Sequence, residues 1–285
     1  MNICDRFDVQ DIYLEPNPDN IYYCSSNIAS KKFTILMKWC LMTREHPELH
    51  EHIIDYLKNN PEEINKTNSC GWTPLMLSAR NSNTVSTERT VEILLEHGAS
   101  VNKIDVFQKK TALMYASSYS NSDSTERTVQ LICNYSTDID FRNINGETAL
   151  MYASKDNDTV NAVKILLDNG ADINLSDNLD YTPLMLSISN INIDIVKILL
   201  QNKANMEIYN KYGDSALDLA IYDDGDENLE DHEKAKKLEI IKLMFDHGAN
   251  LSYSKYTREK LLDDHKFDII DIVDSYELPV KYALD

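Results

Sequence analysis

Positive charge is scarce in this chain beside negative. Its 285 residues hold 28 Lys and Arg against 47 Asp and Glu, a formal net charge of −19. A surface that acidic repels phosphate backbones and anionic lipid, which excludes general binding to nucleic acid or to a membrane surface. Long apolar runs are missing too. The longest, Phe33 to Met42, is broken by Lys38 and falls far short of the ~20 residues that cross a bilayer. The first ten residues include Asp5, Arg6 and Asp8, so no secretory leader is expected. The five cysteines (Cys4, Cys24, Cys40, Cys70 and Cys133) show no CxxC or other paired spacing, which points to reduced thiols and an intracellular, cytoplasmic protein. Catalytic signatures are absent: there is no P-loop, no GxSxG, no GxGxxG and no Cys/His pair in a recognisable context. Neither enzyme activity nor a cofactor is expected. With 42% hydrophobic and 26% charged residues, the chain can still build an ordinary core, so global disorder is excluded.

What the chain does have is repetition. Thr73-Pro-Leu-Met76, Thr111-Ala-Leu-Met114, Thr148-Ala-Leu-Met151 and Thr182-Pro-Leu-Met185 align, with Ser215-Ala-Leu-Asp218 as a weaker copy, at spacings of 38, 37, 34 and 33 residues. A second echo follows each: Val91-Glu-Ile-Leu-Leu95, Val129-Gln-Leu-Ile132, Val163-Lys-Ile-Leu-Leu167, Val196-Lys-Ile-Leu-Leu200 and Ile241-Lys-Leu-Met-Phe245. A third closes the unit at Gly98-Ala-Ser-Val-Asn102, Gly170-Ala-Asp-Ile-Asn174 and Gly248-Ala-Asn250. Thr73 suits an N-cap and Pro74 the first helical position, where no amide is missed. Val91, Leu94 and Leu95 share a helix face. The glycines sit where a helix ends in a left-handed residue. Between repeats lie turn-formers such as Asn68, Ser69 and Gly71, or Asn143, Asn145 and Gly146, which suit a hairpin-like finger. Each unit therefore reads as helix, turn, helix, finger, and none can bury its apolar face without a neighbour.

This pattern resembles the ankyrin repeat, with its T-P-L-H-x-A signature over a period of about 33 residues. The resemblance implies an all-α solenoid of stacked helix-turn-helix units with short fingers. The expected boundaries are a lead-in or cap at 1–32, then repeats at 33–66 (degenerate), 67–103, 104–141, 142–175, 176–208, 209–252 and 253–275 (closing), and a tail at 276–285. Extra length falls in the links between paired helices: Ser82 to Thr87, Tyr119 to Thr125 and the acidic Asp223 to Glu233. Where the family usually carries His, this chain has Met76, Met114, Met151 and Met185. A thioether cannot donate a hydrogen bond, so apolar packing is expected there.

Two clusters invite a metal reading and fail it. In His46-Pro-Glu-Leu-His50-Glu-His52, His50 and His52 do not share a helix face, so a solvated face is expected. In Asp223 to Glu233, taking Asp224 as the first calcium-loop position puts Leu229 where glycine belongs and Ala235 where the bidentate Glu belongs. That stretch reads as a solvated run of like charge.

By resemblance the chain is a non-catalytic scaffold, an adaptor or sequestering module, that holds a protein partner on the concave surface of fingers and first helices. The family's variable contact positions map to Trp72, Lys110, Glu147, Tyr181 and Asp214 before the first helices, and to Phe107, Leu179 and Tyr212 on the fingers. Arg80, Tyr119, Lys155, Asn190 and Tyr222 map to the exposed helix ends. All are expected to project from that surface. The alternative is an acidic decoy that occupies a basic or nucleic-acid-binding protein. Asn102 and Asn174, each eight residues after a Leu (Leu94, Leu166), resemble positions modified by asparaginyl hydroxylases. A monomer is expected. The Asn-, Ile-, Lys- and Tyr-rich composition and the repeat style resemble ankyrin proteins of large DNA viruses, which would place the chain in host cytoplasm.

Overall fold

A hydroxyl three residues ahead of a backbone amide opens helix after helix. In the computed structural model, which describes residues 32–120, 122–156, 159–222, 231–264 and 266–282, Thr73 Oγ1 accepts the Met76 amide at 3.2 Å and Thr111 Oγ1 the Met114 amide at 3.3 Å. Thr182 does the same for Met185, Thr34 for Met37 and Thr257 for Lys260. Ser215 completes a reciprocal box, since Asp218 Oδ2 accepts the Ser215 amide at 2.7 Å. Each cap satisfies an amide that has no partner inside its own helix.

Contacts divide the chain into two compact units, Met1–Ala149 with Asp168–Gly170 and Leu150–Leu167 with Ala171–Asp285. The first holds α1 (Ile35–Cys40), α2 (Leu49–Asn59), α3 (Pro74–Arg80), α4 (Glu88–Glu96), α5 (Ala112–Ser118) and α6 (Glu126–Tyr135). There α3 packs between α1 and α5, while α4 packs between α2 and α6, so first and second helices form separate layers. After α7 (Ala149–Ser154), the second unit holds α8 (Val160–Asp168), α9 (Pro183–Ser189), α10 (Ile193–Gln201), α11 (Ala216–Ile221), α12 (Asp231–Asp246), α13 (Arg258–Asp263) and α14 (Phe267–Tyr282). The layering recurs, with α9 on α11 and α10 on α12, followed by α12 on α14 and α13 against α14. Among the described residues every regular element is helical, so the fold is the stacked all-α array that the repeats imply. Helix α14 runs past residue 275, where the sequence places the end of the array. Residues 1–31 of the lead-in, 223–230 of the acidic insert and 283–285 of the tail lie outside the described residues.

The methionines that replace the family's His are core residues. Met76 and Met151 are 0% exposed and Met114 and Met185 1%, and Met37 joins them at 0%.

Second helices α4, α8, α10 and α12 end in a left-handed turn. Gly98 (φ 86°) follows α4, where the Ala99 amide reaches Leu94 O at 2.9 Å and the Gly98 amide reaches Leu95 O at 3.1 Å. Gly248 repeats the motif after α12. After α10 the same two bonds form around Lys203, at φ 62°. A side chain costs roughly 1–2 kcal/mol in that conformation, part of which glycine returns as unfolded-chain entropy. Lys203 is exposed and loses no packing when shortened. Lys203→Gly should therefore stabilise the protein by about 0.5–1 kcal/mol, read as a higher urea midpoint at unchanged slope.

Each finger is braced by one Asn or Asp. Asn68 Oδ1 accepts the Cys70 and Trp72 amides, Asn143 Oδ1 those of Asn145 and Glu147, Asp177 Oδ1 those of Leu179 and Tyr181, and Asn210 Oδ1 those of Tyr212 and Asp214. Neighbouring fingers share a backbone bond, Val106 N to Cys70 O at 2.9 Å, Ile144 N to Gln108 O at 3.0 Å and Lys211 N to Leu179 O at 3.0 Å. Gly71 is needed twice over. Its φ is 80°, and a Cβ there would meet the Val106 backbone nitrogen and Cγ2 at 2.8 Å.

The lengthened helix links interlock. Asn83 N donates to Asp123 O and Asn83 Nδ2 to Ser122 O, both at 2.9 Å. Thr128 Oγ1 donates to Ser82 Oγ at 2.7 Å, and Thr125 Oγ1 donates to Glu88 Oε1 at 2.6 Å. On the other side Thr43 Oγ1 meets Thr90 Oγ1 at 2.6 Å, and His50 Nε2 lies 2.9 Å from Thr87 Oγ1 and 3.2 Å from Thr90 Oγ1. This corrects the reading of His50 as part of a solvated face. Its ring closes a hydroxyl network, and burial holds its pKa below the ordinary histidine value. The unfolded chain then binds the proton more readily than the folded one. Stability from this group is full above pH ~6.5 and falls as pH drops through the window down to the folded pKa. His50→Asn should flatten the stability profile just below pH ~6.5, measured by urea unfolding at stepped pH.

Candidate functional site

The residue before each capped first helix follows a left-handed finger position: Gly71, Lys109, Gly146, Asp180 and Gly213 all have positive φ. That geometry aims Trp72, Lys110, Glu147, Tyr181 and Asp214 by the same local turn. Their exposure nevertheless differs, because the neighbouring repeat decides it.

In the first unit Trp72 is only 4% exposed, its ring 4.3 Å from that of Tyr115. It is a buried packing residue, which corrects the expectation of a projecting anchor. Lys110 Nζ lies 5.6 Å from the Tyr115 ring centre, and the Arg80 guanidinium lies 4.5 Å above the Tyr119 ring and 3.9 Å from Asp123. Lys110, Arg80 and Tyr119 are half-buried. Glu147 turns inward as well: its Oε2 accepts from Asn143 Nδ2 at 2.8 Å, so it braces its finger and does not project. Phe107 is exposed at a fingertip beside Val106. Beneath the surface Asp105, 2% exposed, accepts the Phe107, Gln108 and Lys110 amides at 2.8 Å and the Tyr115 hydroxyl at 3.1 Å. Burial, reinforced by the Asp105 carboxylate, pushes the Tyr115 phenol well above its usual pKa and keeps it a donor.

In the second unit the half-buried Tyr181 and the exposed Tyr222 line one cleft with Asp214, Asp218, Leu219, Lys255, Tyr256 and Lys260, a cavity of about 420 Å³. Its acids are already engaged. Lys255 Nζ is 2.6 Å from Asp214 Oδ1 and also donates to Tyr212 O. Asp218 accepts from the Ser215 amide and hydroxyl, the Ser254 hydroxyl and the Lys255 amide. Lys260 Nζ sits 4.6 Å from the Tyr256 ring centre. Burial, then the nearby Asp214 and Asp218 respectively, raise the pKa values of Tyr181 and Tyr256, so both phenols stay protonated. Elsewhere in this unit Lys155 covers the Tyr152 ring, while Tyr212 and Leu179 are exposed on fingers and Asn190 at the end of α9. The alignment of first helices held a signal for Tyr115, Tyr152 and Leu219, which all follow the Met position, and Tyr256 precedes its cap as Trp72 does.

Asn102 and Asn174 hold neighbouring fingers. Asn102 Nδ2 donates to Thr137 Oγ1 at 3.1 Å, and Asn174 Oδ1 accepts the Asn205 amide at 2.8 Å. Cys40 and Cys133 are free, and burial pushes both thiols up to about 12, so neither is a nucleophile. Among the described residues no three His, Cys, Asp or Glu side chains gather as a metal ion requires, and no helix is long and apolar enough to cross a membrane.

The chain matches the family profile described as ankyrin repeats (3 copies) at residues 36–143, 86–177, 122–210 and 150–255. It is similar to three ankyrin repeat proteins of Acanthamoeba polyphaga mimivirus. To L91 it is 40% identical over 91 residues, to L86 30% over 178 and to L92 40% over 144. Those stretches cover 30%, 57% and 50% of this chain but only 14%, 30% and 35% of the relatives. Among solved structures it superposes on the ankyrin repeat domain of Bcl-3, a member of the IkappaB protein family, with TM-score 0.66 and 22% identity, covering 85% of this chain and 99% of that one. At that identity the likeness is one of fold.

Proposed function

Because the chain belongs to the ankyrin repeat family, whose repeats typically bind proteins, we propose that it is a non-catalytic adaptor or sequestering scaffold. The cleft of the second unit carries this reading: Tyr181, Tyr222 and Tyr256 converge on one cavity with Leu219 and two lysines. Rigid aromatic rings around a recess are the usual anchors of an interface, since they bury large area at little entropic cost. The acidic-decoy alternative needs available carboxylates, and those of this cleft are spent on Lys255, Ser215 and Ser254. In the first unit, Tyr119 with Arg80 and the fingertip Phe107 offer a further contact.

The test is affinity capture of the partner from a candidate cell lysate, then quantitative binding by variants. Tyr222→Ala and Tyr181→Ala should each weaken binding by about 2 kcal/mol, whereas Lys197→Ala on the exposed face of α10 should not. Equal binding by all three chains removes the cleft from the interface. A steep loss of affinity with salt, at unchanged tyrosine dependence, would favour the decoy.

A further inference from the structure

A second recess in the same unit differs from the cleft in both charge and place. It is a pocket of about 150 Å³ between the end of α11, the face of α12 and the start of α14, floored by Ala220, Ile221, Leu238, Ile241 and Ile269. The exposed rings of Tyr222 and Phe267 stand at its rim, and Lys234, Lys237 and Lys266 line it. Two of these ammonium groups are drawn to adjacent carbonyls: Lys237 Nζ donates to Tyr222 O at 3.2 Å and Lys266 Nζ to Ile221 O at 3.0 Å. Those carbonyls end helix α11, where the backbone carries partial negative charge. Each ammonium has three N–H donors, so the carbonyl leaves others for a ligand. Lys234 lies one helical turn from Lys237, on the same face of α12. None of the three lysines forms an ion pair among the described residues, and Asp268 is the only acidic residue lining the pocket. In a chain of net charge −19, three lysines without an ion pair among the described residues, set around an apolar floor, are a local reversal of sign.

We propose that this pocket docks an acidic peptide segment of a partner protein, seating one aliphatic or aromatic side chain on the apolar floor beside carboxylates held by Lys234, Lys237 and Lys266. Volume and charge together select this ligand. A 150 Å³ apolar recess accepts a benzene-sized group and is filled by a single side chain. Three lysines lining one small recess call for more than one carboxylate beside that side chain, which a fatty acid with one head group does not supply. The pocket shares only Tyr222 with the tyrosine-lined cleft, and none of its lysines touches that cavity.

The probe is fluorescein-labelled Glu-Glu-Leu-Glu-Glu-amide, titrated with the full chain by fluorescence anisotropy. Binding should weaken as salt rises from 50 to 300 mM, and the Leu→Ala peptide should bind several-fold more weakly. Lys234→Gln, which removes no hydrogen bond seen here, should weaken the probe about two- to fivefold, as the loss of one exposed ion pair does. Lys237→Gln with Lys266→Gln should weaken it further, circular dichroism confirming that both variants fold. Equal affinity for Lys-Lys-Leu-Lys-Lys-amide, or no response to the lysine variants, overturns the proposal. Full displacement of the probe by octanoate would also overturn it, in favour of a small-carboxylate site. Binding that appears only after the acids of residues 223–230 are changed to Asn and Gln would make this chain's own insert the occupant, again overturning it. Tyr181→Ala, which spares this pocket, should leave probe affinity unchanged, so the cleft and the pocket can fail separately.

Discussion

Met114→Ala should cost about 2–5 kcal/mol of folding stability, one of the two largest single losses expected in this protein. The side chain is 1% exposed in the layer where α5 packs on α3. Removing it gives up its transfer free energy and leaves a cavity that the helices on either side cannot close without sliding on their own neighbours. Met114→Leu, which nearly conserves volume, should cost less than about 1.5 kcal/mol. The comparison separates burial from chemistry: if the thioether were needed for itself, Leu would be as damaging as Ala. Chemical denaturation of the two variants decides it, and a loss below about 0.5 kcal/mol for Met114→Ala would show the layer to be loosely packed.

Asp105→Ala should cost about 3 kcal/mol, with no cavity of comparable size to explain it. One buried carboxylate gathers three amides of its finger and the Tyr115 hydroxyl. Hydrogen bonds to a charged acceptor contribute about 1.5–3 kcal/mol each. Part of that returns when the freed fingertip amides reach water, so the expected total lies below the sum. Asp105→Asn retains one acceptor oxygen and should cost roughly half as much. A diagnostic accompanies the loss: Tyr115, freed of its carboxylate partner, should titrate at lower pH in Asp105→Ala, readable by absorbance at alkaline pH.

Helix starts were legible in the sequence because capping is local. Thr73 and Met76 lie three residues apart, and nothing distant is needed to pair them. The Asn and Gly punctuation of the fingers is local in the same way. What stayed hidden depends on partners a repeat away. His50 meets hydroxyls 37 and 40 residues further on, and no helix-face argument contains them. Trp72 has the side chain of an interface anchor, yet the next repeat supplies Tyr115 to cover it. Glu147 was misread for the opposite reason: its partner is only four residues back, but a family position reserved for contacts masked an ordinary side-chain bridge to Asn143. Of the cleft, the repeat pattern reveals Tyr181, Asp214 and Tyr222 but not Lys255 and Tyr256, which belong to a closing repeat that lacks the TPLM signature.

The interlocked links after α3 and α5 bear on how such a chain can change over generations. Repeat arrays grow and shrink by copying or losing whole units, and a unit is portable only if its edges suit any neighbour. Here Asn83 donates twice to the following link, and Ser82 accepts Thr128 from the following helix. A short-linked repeat inserted between these two would release the exposed Asn83 to water but strand the buried Ser82 and Thr128 hydroxyls, at roughly 1–3 kcal/mol for each left unpaired. The pair should therefore be retained together, a seam along which recombination should not cut.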